Sequence, residues 1–361
     1  MFVLDSHCDT PSQIIRLRDM SQDNDHAHVD FPKLKRGGID GAFFALYIPA
    51  SLDEDADKAF EYASRLLEAV EDSVSGNSDK AAFARTAEEA YENKSRDLFS
   101  IFLGLENASP ISESFDRLKW FYDRGVRYIT LCHSKNNQVC DSCAEKQEKW
   151  GGLSPFGKKL VAEMNRLGML IDVSHISDKS FYDVLKYSDR PVVATHSCCR
   201  ALSEHPRNMS DEMIKALAAA GGVIQVNFYP LFLDSSFIEK CSAILERGQS
   251  VDAAFTSDPS DPEKRAAWYK VLDELSTLKR PSFKLIADHI DHVVSLVGID
   301  HVGLGSDFDG IELTPEGLED ISGMPLLFEE LRSRGYSESD LEKIAGGNFF
   351  RCASGFSGAE Q

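Results

Sequence analysis

The stretch LDSHCDTP at residues 4–11 places His7, Cys8 and Asp9 side by side, three side chains able to bind a metal or act as a nucleophile. Further residues of that type stand at the downstream ends of short apolar runs: Glu106 after LFSIFLGL, His133 after VRYITLC, His175 after MLIDVS, His196 in PVVATHS and Asp307 in HVGLGSDFD. Imidazole and carboxylate without thiolate suit zinc or a neighbouring first-row divalent ion. One bridging carboxylate with four terminal ligands suits a pair of them. A lone strand-end histidine is more often a satisfied structural group, and a lone Asp or Glu there more often a loop residue or helix cap. Coincidence shifts the balance, because 10 histidines in 361 residues would rarely fall at one strand end after another by chance.

Residues two apart on a strand point the same way and the one between points oppositely. His7 and Asp9 can therefore share a metal that Cys8, packed behind the strand, does not reach. The same alternation puts His175 in phase with Ile171 and Val173, His196 with Val192 and Ala194, and Glu106 with Phe102 and Gly104.

These residues need elements that bring them together. Eight runs rich in Val, Ile, Leu and Phe recur at 2–7, 41–49, 98–106, 126–133, 169–175, 191–197, 222–228 and 301–309, separated by helix-like segments. Most are too apolar for half-exposed strands and fit a parallel sheet covered on both faces. Ser154-Pro155 opens a helix that Gly168 closes, and Ser337 with Asp340 resembles a capping box. Eight strand–helix units predict an α/β fold of the (β/α)₈ barrel type, one domain over residues 1–355, although a doubly wound open sheet has the same local pattern. In a parallel barrel the downstream strand ends converge on one face, where active sites are built. Residues 50–97 and 229–300 break the rhythm. The second follows the seventh run directly and is expected over that face as a lid, while 356–361 reads as a frayed tail.

Apolar residues make up 42% and charged residues 27% of the chain, as in a globular protein with a large core. The net charge of −20 repels nucleic-acid phosphates and anionic membrane surfaces, so neither is an expected partner. No leader, membrane-spanning run or lipidation motif is visible in the sequence, and the expected location is cytoplasmic. The eight cysteines lack the density of a disulfide scaffold and read as mostly reduced. Cys140-x-x-Cys143 has no second pair to complete a zinc site. Cys198 and Cys199 read as packed thiols. His289 and His292 are expected in exposed or capping roles on a helix flanking the barrel, and His26, His28 and His301 lack convergent partners. GLGSDFDG has no GxGxxG pattern and no following cofactor helix.

The set DSHCDTP, FLGLEN, GVRYITLCHS, GMLIDVSHIS, THSCCRALSEHPRN, DHIDHVVSLVGIDHVGLGSDFDG and IAGGNFFR resembles the membrane dipeptidase (renal dipeptidase) family of zinc peptidases, in the family's order over essentially the whole chain. The resemblance implies an amidohydrolase-like barrel with two zinc ions. His7 and Asp9 would hold one, His175 and His196 the other, and Glu106 would bridge them. It further implies that His133 binds the substrate on its scissile carbonyl side, Arg207 its free carboxylate, and Tyr47 the pocket, while Asp307 handles the proton. The implied reaction is hydrolysis of dipeptides, L,L and by extension L,D, by a hydroxide held between the metals, whose charge acidifies water and polarises the carbonyl. Arg207 offers a planar fork suited to a carboxylate, which makes dipeptides the natural length. A homodimer is implied by resemblance alone.

Two features depart from the family: Cys8 and Thr10 stand where many members have Asn and Leu, and the signal peptide, disulfides and lipid anchor of the animal ectoenzymes have no counterpart. The alternatives are another barrel amidohydrolase, such as an N-acyl-amino-acid deacylase or a phosphoesterase, and a non-catalytic binding barrel. HxD in place of HxH and Glu106 in place of a carboxylated lysine weigh against the first. Retention of every ligand and of Asp307 weighs against the second.

Overall fold

The computed structural model describes residues 1–354, so the tail expected at 356–361 lies outside the described residues. Nine strands form in chain order: β1 (Leu4–Cys8), β2 (Gly41–Tyr47), β3 (Ala81–Phe83), β4 (Phe99–Glu106), β5 (Val126–Thr130), β6 (Leu170–Asp172), β7 (Val193–Ser197), β8 (Val223–Val226) and β9 (Val302–Leu304). Eight follow the path β1-β2-β4-β5-β6-β7-β8-β9, each parallel to its neighbour. At the seam a parallel bridge joins Cys8 and Phe308, and the N–H of Asp307 donates to His7 O at 3.0 Å and that of Asp9 to Phe308 O at 2.8 Å. The fold is the expected (β/α)₈ barrel, and seven of the eight apolar runs contain one of its strands, while β1 overruns the first run, 2–7, by one residue. The remaining strand, β3, pairs with the start of β4. Unlike those of the equally short β6 and β9, its three residues sit between Lys80 and Arg85 with no longer apolar run around them to mark a strand.

Alternation along the strands separates two apolar layers. Phe43, Phe102, Tyr128, Leu170, Val193 and Val223 fill the barrel interior and meet Phe349 and Phe350 of the last helix. Ile101, Ile129, Ile171, Val192, Ala194, Ile224 and Val302 face outward, against helix residues such as Leu66, Leu160, Phe181 and Ile290. The interior layer is a plug and not a pore, so open space for a site lies at the barrel mouth. Local signals work as expected. The Ser154 side chain accepts from Gly157 N–H, Pro155 occupies the first turn, Gly168 ends the helix at φ 72°, and the Ser337–Asp340 capping box forms.

In the segment 229–300, helices Ile238–Ser257 and Pro262–Ser276 pack on each other around Phe237, Cys241, Phe255, Trp268, Val271 and Leu275. The following helix, Lys284–Val297, returns to the outer layer through Ile286, Ala287, Ile290 and Val293. His289 lies on that buried face, only 1% exposed, its Nδ1 accepting the Cys199 N–H at 3.0 Å. The expectation of an exposed or capping His289 is thus corrected: it is a buried acceptor between helix and barrel. His292 pairs with Asp211 at 2.7 Å. Among the described residues, no helix is long and apolar enough to cross a membrane, and all eight thiols are unpaired.

Candidate metal centre

His7 projects from β1 with no exposed surface, and Asp9 follows as the residue before a short helix beginning at Thr10. His7 Nε2 stands 4.0 Å from Asp9 Oδ2 and 3.6 Å from Glu106 Oε2. The other oxygen of Glu106, at the end of β4, faces His175 Nε2 at 3.0 Å and His196 Nε2 at 3.3 Å. Glu106 therefore turns one oxygen to each of two histidine groups. Cys8 points the other way, its thiol on Phe43 O at 3.4 Å in the outer layer, as alternation requires.

Alternation alone misplaces two of these ligand candidates. His175 is in phase with outward-facing Ile171 and Val173, and His196 with outward-facing Val192 and Ala194, so regular strands would bury both behind the barrel. His175 instead adopts φ 69°, a left-handed conformation that swings its ring inward. In β7 the register shifts between Ala194 and Ser197, and this bulge re-aims His196 to within 3.7 Å, ring to ring, of His7. Asp307 and Asp309, at φ 65° and 67°, complete a set of left-handed residues at the mouth.

Seven of the expected residues, Asp9, Tyr47, Glu106, His133, His175, Arg207 and Asp307, line one cavity of about 810 Å³, with His7 and His196 buried at its floor. Three overlapping sets bring candidate ligand atoms within 4.8 Å of one another: His7, Glu106 and His196; Glu106, His133 and His175; and His7, Asp9 and Asp307. The His133 ring packs 4.2 Å from that of His175 and edge-on to Tyr47 at 4.8 Å. Arg207 places its guanidinium over the Phe232 ring and donates to Ser197 Oγ at 2.8 Å and His196 O at 2.7 Å. A Cβ added at Gly310 would lie 2.0 Å from Asp9 Oδ2 and 2.7 Å from Asp307 Oδ1, so only glycine lets these two carboxylates converge there.

The electrostatics call for a cation. Burial opposes a charge on His7, yet the Glu106, Asp9 and Asp307 carboxylates outweigh it and push the ring up to about 10. Burial also opposes the charge on Glu106, but His7 and the imidazoles of His175 and His196 beside it hold it well below the usual carboxylate range. Burial drives His175 and His196 well below the normal imidazole value, with Arg207 and neighbouring imidazoles adding to the effect. Asp307 is pushed up to about 6, chiefly by burial. Two neutral imidazoles thus meet at 2.9 Å, Nε2 to Nε2, beside a carboxylate. His7 Nε2, Asp9 Oδ1 and His133 Nδ1 are buried without a hydrogen-bond partner. Orphaned imidazole and carboxylate atoms among these overlapping sets fit a divalent cation.

Sequence reading missed several supporting groups. Asn227 directly follows β8 within the seventh run, where the strand-end rule would have found it, and it donates to Asp307 Oδ2 at 2.9 Å. Tyr128 reaches beneath His7, its hydroxyl 2.8 Å from Nδ1, through space left by Gly104, where a Cβ would lie 2.2 Å from the tyrosine ring. His28 and Asp309 pair across the seam, with Arg18 on Asp309 at 2.5 Å, and no local spacing announces them. The insertion contributes Asp252, Thr256, Trp268 and Tyr269 to the cavity wall. It is tied to the barrel by Arg16–Asp252 at 2.9 Å and His26–Asp273 at 3.0 Å.

A family model described as membrane dipeptidase (peptidase family M19) matches residues 1–357. Dipeptidase verJ of Clonostachys rogersoniana is 33% identical over 333 residues, covering 90% of this chain and 75% of that protein. Dipeptidase aclJ of Aspergillus oryzae is 31% identical, over 94% of this chain and 72% of that one. Among solved structures, the probable dipeptidase PvdM from Pseudomonas aeruginosa superposes with a TM-score of 0.82 at 29% identity, covering 99% of this chain and 95% of that one. A metallopeptidase from Rhodobacter sphaeroides, liganded with a phosphinate mimic of the dipeptide L-Ala-D-Ala, gives a TM-score of 0.81 at 25% identity, with 99% of each chain covered.

Proposed function

Since the chain belongs to the membrane dipeptidase family and is a metallo-dipeptidase, we propose that it hydrolyses dipeptides bearing a free C-terminal carboxylate, L,L and L,D, with two zinc ions in the barrel mouth. The observation that carries the two-metal reading is Glu106, whose Oε1 faces His175 and His196 while Oε2 faces His7. His7 and Asp9 would hold one ion, His175 and His196 the other, and Glu106 both. When bound, the ions supply an acidified water as nucleophile and a Lewis acid for the carbonyl.

The remaining roles belong to the chain. Asp307, with Oδ2 held by Asn227 and a carboxyl pushed up to about 6, takes the proton of the attacking water and returns it to the leaving amine. His133, held neutral by burial, donates toward the carbonyl oxygen as charge develops on it. Arg207 anchors the carboxylate, with Ser197 and His196 O holding its guanidinium in place. Tyr47 and the insertion helices wall the pocket, and we read those helices as a lid on a single barrel domain. The phosphinate-bound neighbour supports a D-residue at the C-terminal position. A homodimer is the proposed assembly, checked by its mass in solution.

The test is a panel of L,L and L,D dipeptides, their C-terminal amides and N-acyl amino acids, assayed with metal-free and zinc-restored protein. Dipeptides turned over only after zinc is restored, with the amides poor, support the proposal. N-acyl amino acids hydrolysed in preference to every dipeptide would replace it with the deacylase reading.

A further inference from the structure

Asp172 is a carboxylate at the end of β6, inside the barrel, with no exposed surface and no cationic partner within salt-bridge distance among the described residues. Its partners are all donors. Oδ1 accepts the backbone N–H groups of Ser174 at 3.0 Å and Thr195 at 2.9 Å, and Oδ2 accepts the hydroxyls of Thr130 at 2.6 Å and Thr195 at 2.7 Å. The Thr195 oxygen also lies 2.7 Å from His196 Nδ1. A hydroxyl has one proton to give, and a carboxylate can only accept. The Thr195 proton is therefore directed to Asp172, and the proton between Thr195 and His196 has to come from the imidazole. His196 is thereby fixed with Nδ1 protonated and the Nε2 lone pair turned toward Glu106 and His175.

We propose that Asp172 and Thr195 are positioning residues that set the His196 tautomer for metal binding, a carboxylate–hydroxyl–imidazole relay behind the centre. The proposal rests on His196 being a zinc ligand. His7 lacks such a device: its Nδ1 meets only the Tyr128 hydroxyl, which can donate as readily as accept. The bulge that re-aims His196 also puts Thr195 and His196 on the same side of β7, so one backbone irregularity builds both ligand and relay.

The relay can be inverted without changing its shape. In Asp172→Asn the two backbone N–H groups demand the amide oxygen at the Oδ1 position, which leaves the NH₂ facing both threonine hydroxyls. Thr195 must then turn its proton to His196 Nδ1, which transfers the ring proton to Nε2 and blocks the ligand atom. The experiment is chelator competition on the zinc-loaded full-length enzyme, reading zinc retained per chain for Asp172→Asn, Thr195→Val, Thr195→Ser and His196→Ala. Expected are a roughly 10–100-fold weakening in Asp172→Asn and Thr195→Val, near-native retention in Thr195→Ser, and loss in His196→Ala. If Asp172→Asn does not fold, the valine and serine pair still decides, because valine keeps the branched shape and serine the hydroxyl. Retention by Thr195→Val equal to that by Thr195→Ser, with His196→Ala depleted, overturns the relay. Full retention in His196→Ala overturns the ligand assignment beneath it.

Discussion

Asn227 donates its side-chain N–H to Oδ2 of Asp307 at 2.9 Å, leaving Oδ1 on the side of Asp9. The arrangement fixes one oxygen of a carboxyl that burial has pushed up to about 6 and presents the other to the reaction. Asp307 also lies within ligand distance of His7 and Asp9, so proton carrier and metal ligand are distinct roles that mutation separates. Asp307→Asn is expected to retain zinc at the native stoichiometry and lose about 10²–10⁴-fold in kcat. Glu106→Gln, which removes the charge facing both histidine groups, is expected to lose metal as well. Elemental analysis beside steady-state kinetics checks both, and zinc lost from Asp307→Asn would make Asp307 a ligand.

Cys8 and His7 are adjacent in sequence and opposite in role. The Cys8 thiol is buried against Phe43 O in the outer layer, whereas His7 Nε2 is an orphaned buried nitrogen at the centre. Cys8→Ala should therefore keep zinc content and most activity, at about 1 kcal/mol of stability for the small cavity. His7→Ala should lose both metal and turnover. Measured zinc per chain and urea midpoints distinguish the two.

Much of this was legible in the sequence. The eight strands showed as apolar runs because a parallel sheet covered on both faces needs continuous hydrophobicity. The ligand candidates showed because they stand at strand ends. What alternation could not give was the direction of His175 and His196, which depends on a left-handed residue and a bulge that overrule the two-residue period. Asp172 carried an unread signal, a charged residue inside the apolar run MLIDVSH, where burial is tolerated only with a full set of donors. The pairing of His28 with Asp309 arises from closure of the barrel, joining residues 281 positions apart, and no local pattern encodes it.

Removing metal should loosen the mouth more than the plug. Without a cation, buried His7 Nε2 and Asp9 Oδ1 have no hydrogen-bond partner, and excess carboxylate charge is offset by a proton on His7, pushed up to about 10. Zinc at a hundred times its dissociation constant stabilises by about 2.7 kcal/mol, or roughly 3–4 °C in Tm for a chain of this size. Loading should also release the His7 proton near neutral pH. Calorimetry in buffers of different ionisation enthalpy reads that release, and a heat of loading independent of buffer would show that His7 carries no proton to displace.

His289 makes stability fall on acidification for reasons unconnected with the metal centre. Burial on the barrel-facing side of its helix holds the ring neutral, lowered to about 4, where it accepts the Cys199 N–H. In the unfolded chain the same ring takes up a proton near pH 6.5. As pH falls from 6.5 toward 4 the unfolded state binds the proton and the folded state does not, so unfolding becomes easier through that window, by an amount on the order of 3 kcal/mol at its lower end. His28, also lowered to about 4 by burial, adds a slope of the same sign, so the single-site effect is read as a difference between variants. His289→Asn keeps an acceptor near the Nδ1 position but cannot titrate. Its unfolding free energy should depend less steeply on pH between 6.5 and 4 than that of the parent, while the two run parallel above pH 7. Parallel curves through the whole acid range would mean that His289 protonates in the folded state as easily as in the unfolded one.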